Sequence, residues 1–265
     1  MLRPLRSCLV PLSFFACAAA APACVVTPED GGEGEGEGEA EGPKCAEPTE
    51  VPCVDDAFQA LSMNLTEAAD GAIVSESDGA GTFEVDVDAT AGAPPGSIDA
   101  PGGFVYGRFT DDGLLKVELL DDASFASMDW DIAFRRFVIR VNSGTSGPSC
   151  VTAARTAPAT DFDALAAVPD GLTFNAEQFM SDAETCELVP DGSGLGAPGV
   201  VLQNWWEYPG CVKTTGNVYV LSLANGRHVK LVVTQYYASG QDGCNEQGNP
   251  GTGSARIHLR YGFLD

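Results

Sequence analysis

Positive charge is what this chain most lacks. Against 38 Asp and Glu it carries 14 Lys and Arg, a formal net charge of −24 over 265 residues. Nucleic-acid binders draw affinity mainly from neutralising phosphates, so that class is excluded. Adsorption to anionic lipid through a polybasic patch is excluded for the same reason. Histidine is limited to two residues, His228 and His258, which leaves little material for general-base catalysis. No Ser-His-Asp set or Cys-His pair has usable spacing, and the G-x-S-x-G, H-E-x-x-H and P-loop patterns do not occur. Carboxylates abound, but nothing selects the pair that glycoside hydrolysis requires. The expectation is a protein that is not an enzyme. Beyond the N-terminus no run of about eighteen apolar residues appears, so no helical membrane span is expected. What is present is 44% hydrophobic residues, enough for one sizeable core, with 31 Gly and 17 Pro that point to turns and short strands.

Residues 1–23 read as a secretory signal peptide: Arg3 and Arg6, an apolar run from Cys8 to Ala20, then small residues. Ala21-Pro22-Ala23 fits an ordinary exit site. Ala21-Pro22-Ala23-Cys24 also resembles a bacterial lipobox without its usual Leu, which would make Cys24 the lipidated first residue. Residues 24–44 favour the lipoprotein reading, because alternating Gly and Glu can bury nothing and self-repel into an extended tether. Six cysteines remain: Cys45, Cys53, Cys150, Cys186, Cys211 and Cys244. In an exported chain these imply up to three disulfides. Cys45 is expected to pair with Cys53, close in sequence, and Cys211 with Cys244, which flank a hairpin about Asn225-Gly226. That leaves Cys150 with Cys186. A metal site is disfavoured by the lack of any C-x-x-C pair or nearby His.

Residues 45–265 read as one antiparallel all-β domain with little helix. Thr82 to Asp88 alternates, with Phe83, Val85 and Val87 on one face. Phe104–Phe109 and Leu114–Leu119 flank the turn Asp111-Asp112-Gly113. Trp130 to Val141 is expected as the longest strand, with a β-bulge at Arg135-Arg136 where its parity flips and with Arg140 facing outward. Val218–Leu223 and Val229–Tyr237 form a hairpin, and Ile257–Tyr261 is a terminal strand. Asp161 to Val168 is the one helical candidate, at two turns.

Each chemically suggestive feature has a plainer alternative. Both histidines take the solvent-facing parity of their strands. The Asp86/Asp88, Asp129/Asp131 and Asp161/Asp163 pairs could hold Ca²⁺ or simply be solvated faces. Arg135, Arg136 and Arg140 could bind an anion or neutralise the domain's own acids. Trp205, Trp206 and Tyr208 could line a ligand cleft or pack over the sheet end. Gly192 to Gly196 lacks G-x-G-x-x-G spacing and reads as a loop.

The run from Asp129 to Phe137 (DWDIAFRRF), followed by Asn142-Ser143-Gly144-Thr145-Ser146-Gly147, resembles the signature strand and turn of the HmuY family. Thr160 to Asp163, Trp205 to Tyr208 and the stretch from Val218 to Tyr237 resemble the family in the same order, so the likeness spans roughly Phe104 to Leu264. It implies a hand-shaped all-β lipoprotein on the outer membrane or cell surface. Such a protein takes haem from haem-carrying proteins and passes it to an outer-membrane receptor. The family's ligation is by two His, or by Met in some relatives. Neither His here matches a family ligand position, and guanidinium cannot ligate iron. Met128 and Met180 are therefore the thioether candidates beside His228 and His258. The alternative is the same fold binding a glycan, a protein or Ca²⁺.

Overall fold

In the computed structural model, residues 45–63, 66–91, 102–181 and 184–264 are described. The expected signal peptide, Cys24 and the tether lie outside them. The elements run α1 (Val54–Ala60), β1 (Ile73–Ser77), β2 (Thr82–Asp88), β3 (Val105–Thr110), β4 (Gly113–Val117), β5 (Ile132–Arg135), β6 (Val138–Val141), β7 (Thr152–Arg155), β8 (Trp206–Glu207), β9 (Lys213–Thr214), β10 (Val218–Ser222), β11 (His228–Tyr237), α2 (Asp242–Gln247) and β12 (Ser254–Leu264). All strand pairs are antiparallel. They form a six-stranded sheet β1-β2-β12-β11-β10-β7, a four-stranded sheet β4-β3-β5-β6, and a β8-β9 ribbon. The architecture is all-β with little helix.

Period-two alternation builds the core. Phe83, Tyr261, Leu231 and Tyr219 are register partners across four strands of the large sheet, and all four are buried. Phe83 stacks on Tyr261 at 4.9 Å, and Phe109 of the small sheet meets the same ring edge-on at 5.0 Å. Each such buried ring contributes about 1.5–3 kcal/mol. The sheets are also tied by Ser75, whose Oγ donates to Leu114 O and accepts from Leu114 N at 3.0 Å each.

Several expectations change. Trp130 to Val141 is two strands, not one bulged strand. Arg136 and Phe137 form a tight turn, with Arg135 opposite Val138 and Arg136 at φ 53°. All residues of β5 and β6 are buried, so outward and inward parity lose their meaning there, and Arg140 is wholly buried rather than outward. Asp161 to Val168 forms turns, not a helix. Lys230 Nζ donates to Phe162 O and Leu165 O, both at 2.8 Å, taking carbonyls a helix would use. Phe162 instead packs with Val218 and Val232 on the outer face of the large sheet.

The disulfides are Cys45–Cys150, Cys53–Cys186 and Cys211–Cys244. The expected Cys45–Cys53 and Cys150–Cys186 pairs are thus corrected. Thr49 N and Oγ1 both donate to Pro148 O, at 2.9 and 3.0 Å. This lays the N-terminal segment beside the loop after β6 and brings Cys45 to Cys150. Cys211 and Cys244 close over a loop of 33 residues that contains the Asn225-Gly226 hairpin.

Candidate functional site

The signature hairpin is a buried anchor. Arg140 Nη1 donates to Ser146 O and Oγ at 2.7 and 2.9 Å, and Nη2 to Tyr106 Oη and Ser124 Oγ at 2.7 and 3.1 Å. Its guanidinium lies 4.4 Å from the Phe104 ring centre and 4.8 Å from that of Trp130. Tyr106 Oη donates onward to Asp121 Oδ1 at 2.7 Å. Burial pulls the Arg135 guanidinium down to about 10, and its Nη1 donates to Leu61 O and Gly102 O. Burial likewise raises Asp131 to about 6, against the hydrogen bond it accepts from Phe109 N. These arginines hold the fold together through carbonyls, hydroxyls and rings, and for Arg135 also through the nearby Asp121.

The turn after β6 grips Glu177. Ser143 Oγ accepts from Glu177 N at 3.0 Å, and Thr145 N donates to Glu177 O at 3.1 Å. A Cβ on Gly144, at φ 56°, would sit 2.1 Å from Glu177 O, which is why glycine stands there. The Glu177 carboxylate accepts from Val141 N and Val201 N, at 3.1 and 2.8 Å, joining the hairpin to the loop that follows. Burial pushes this carboxyl up to about 7. Nothing in the sequence singled it out, because its partners are backbone groups far away in the chain.

The four iron-ligand candidates are dispersed. His228 and His258 both project from the outer face of the large sheet. His258 pairs with Gln235, seven residues along β11 from His228, a separation of about 20 Å. His228 lies against the Phe174 ring at 5.7 Å, and burial lowers its pKa. Met180 is fully buried in the core. Met128 is half-buried beside β5. Trp205 is also a core residue, its Nε1 donating to Phe137 O at 3.1 Å, and does not line a cleft. Trp206 packs on Phe137 at 4.6 Å, while Tyr208 is 47% exposed.

The paired aspartates separate in function. Asp88 pairs with Arg256 at 2.8 Å, Asp129 with Arg108 at 3.5 Å, and Asp163 with Arg260 at 2.7 Å. Among the described residues no group of three or more His, Cys, Asp or Glu is placed to hold a metal ion.

Open space lies elsewhere. A pocket of about 40 Å³ at the Arg136-Phe137 turn, between Leu61 and Pro198, holds little more than water. A cleft of about 600 Å³ opens on the outer face of β1, β2, β12 and β11, lined by Ala72, Val74, Asp86, Gln235, Ala238 and Arg256. Val74 is 53% exposed there, an uncovered apolar side chain. His258 borders this cleft, since Asp86 and Gln235 are its register partners on either side. Its Nδ1 lies 2.9 Å from Thr234 Oγ1, whose own proton goes to His258 O at 3.1 Å. Nε2 faces Glu84 at 3.5 Å, one row from the cleft. A third opening, of about 450 Å³, lies at the β7 edge, and a fourth, of about 230 Å³, beside Trp206 and Tyr208.

This arrangement is that of an antiparallel β protein with surface clefts. The sequence model of the family described as HmuY protein matches residues 59–249, well over half of the chain, and the chain belongs to the HmuY family. Similar solved structures include a candidate HmuY-like haem-binding protein from Bacteroides vulgatus ATCC 8482. It is 14% identical with a TM-score of 0.43, over 74% of this chain and 97% of that one. A candidate lipoprotein from Bacteroides fragilis NCTC 9343 is 15% identical with a TM-score of 0.39, over 71% and 92%. The apo HmuY analogue of Tannerella forsythia is 15% identical with a TM-score of 0.35, over 75% and 98%. No curated protein matches the chain.

Proposed function

We propose that this chain is an exported binding protein, lipid-anchored through Cys24, that captures haem without catalysing a reaction and passes it to a receptor. Membership of the HmuY family is the observation that carries this reading. The residues modify the family's chemistry. Two histidines about 20 Å apart cannot hold opposite faces of one iron, and a core-buried Met180 cannot supply the second bond. Met128 precedes β5 of the small sheet whereas His258 stands on β12 of the large one, so on this reading haem takes one axial ligand from this protein.

His258 is that ligand. It borders the cleft of about 600 Å³, and ligand pockets for molecules of this size run from about 300 to 1,000 Å³. Thr234 holds its Nδ1, as the outer partner of a metal-binding imidazole does, and the ring must turn from Glu84 to present Nε2. Ala72, Val74 and Ala238 offer an apolar wall, beside the Arg256–Asp88 ion pair. The test is a haemin titration of the oxidised protein followed by absorbance, with His258→Ala beside it. A Soret band that saturates at one equivalent, and that His258→Ala abolishes, is expected. An absorbance indistinguishable from haemin in buffer would overturn the haem reading.

A further inference from the structure

We propose that the groove at the β7 edge, running on to Tyr208, binds a neutral, hydroxyl-rich ligand of the oligosaccharide class. It lies at the opposite edge of the large sheet from the haem cleft, shares no residue with it, and stands or falls separately. The two openings that make it share Gln203 and Asn204, so they form one continuous surface.

Its chemistry is unlike the rest of the protein. In a chain of net charge −24, the larger opening is lined by Arg155, Asn175, Gln178, Gln203 and Asn204, with no carboxylate. The smaller opening contains two acids, and both are spent. Asp191 Oδ1 accepts from Ser193 N and Oγ at 2.9 and 2.7 Å, and Glu207 pairs with Lys213 at 3.0 Å. A cation thus finds no carboxylate in the larger opening and, in the smaller, two that are already engaged locally. A polyanion finds one arginine against the field of the whole chain. None of the four candidate haem ligands lines either opening. Side-chain amides carry both donors and acceptors, and sugar hydroxyls demand that combination.

The walls are held largely through the backbone. Thr215 Oγ1 and Asn217 Nδ2 both donate to Asn204 O at 2.8 Å, fixing the main chain and sparing the amide. Asn175 exchanges two backbone bonds with Ala153 at 3.0 Å, and its own Nδ2 donates to Thr173 O at 3.1 Å. Tyr208 stands at the end of the groove, 47% exposed and edge-on to Trp206 at 6.5 Å and 80°. Trp206 is in turn backed by Phe137. This gives a braced ring with an open face, the stacking platform that a pyranose uses beside hydrogen-bonding amides.

The experiment is calorimetric titration of the oxidised protein with xylohexaose, cellohexaose, maltohexaose and chitohexaose, and with polygalacturonate as the anionic control. Saturable binding of at least one neutral hexaose is expected. Tyr208→Ala should weaken it about tenfold, Tyr208→Phe should preserve it, and Gln203→Ala should weaken it without altering haemin uptake. Binding of none of the four, or binding indifferent to Tyr208→Ala, would overturn the proposal. So would a salt-sensitive preference for polygalacturonate that Arg155→Ala removes, since the ligand would then be anionic.

Discussion

Glu177 should make the stability of this protein fall as the pH rises through neutrality. The carboxyl is buried, and burial lifts it from 4.5 to about 7. Folding therefore binds a proton that the unfolded chain releases between those values. The contribution is fully present below about pH 4.5 and is lost as pH climbs to about 7, a change of about 3 kcal/mol. Glu177→Gln removes the titration. The amide keeps one oxygen for Val141 N or Val201 N but turns its NH₂ toward the other, leaving one buried donor unpaired at a cost of about 1–3 kcal/mol. The variant should thus be clearly weaker than the native protein at pH 4.5 and close to it at pH 8. Urea unfolding of both proteins across that range measures the difference directly. Asp131 is also raised, to about 6, but it is common to both proteins and cancels. Parallel stability curves for the two proteins would refute the reasoning.

Two further outcomes follow from the buried framework. Arg140→Met should cost about 3–5 kcal/mol in urea unfolding, because hydroxyl and carbonyl partners lose a charged donor inside an aromatic cage. Arg140→Lys should not restore stability, since one ammonium cannot span both Ser146 and Tyr106. Replacing Cys53 and Cys186 together by Ser, with Cys45–Cys150 still closed, releases a loop of about 44 residues, and thermal or urea unfolding should report a loss of about 4 kcal/mol. The same replacement of Cys211 and Cys244, across 33 residues, should cost nearly as much.

Local chemistry was legible in the sequence, and tertiary partners were not. Asn225-Gly226 announced its hairpin because both residues tolerate positive φ. Arg136-Phe137 forms a hairpin as tight with no such signal, its strain held by the buried strands on either side, so the sequence suggested one long bulged strand. Period-two alternation located β2, but β5 and β6 are buried on both faces, and parity there misdirected Arg140. Short sequence distance argued for Cys45 with Cys53, whereas the contact of Thr49 with Pro148 decided the pairing. The family was readable from its ordered motifs. The clefts were not, since Arg155 and Gln203, or Val74 and Arg256, meet only through sheet topology. The one surface hint was the Trp206 and Tyr208 pair, which does border an opening.

The claim that most needs testing is that this HmuY family member holds haem through a single protein ligand. Low-temperature electron paramagnetic resonance of the one-to-one ferric haem complex addresses it directly. An axial high-spin signal that disappears with His258→Ala is the predicted result. A low-spin signal from two strong axial ligands, or a spectrum the protein leaves unchanged from free haemin, would contradict it.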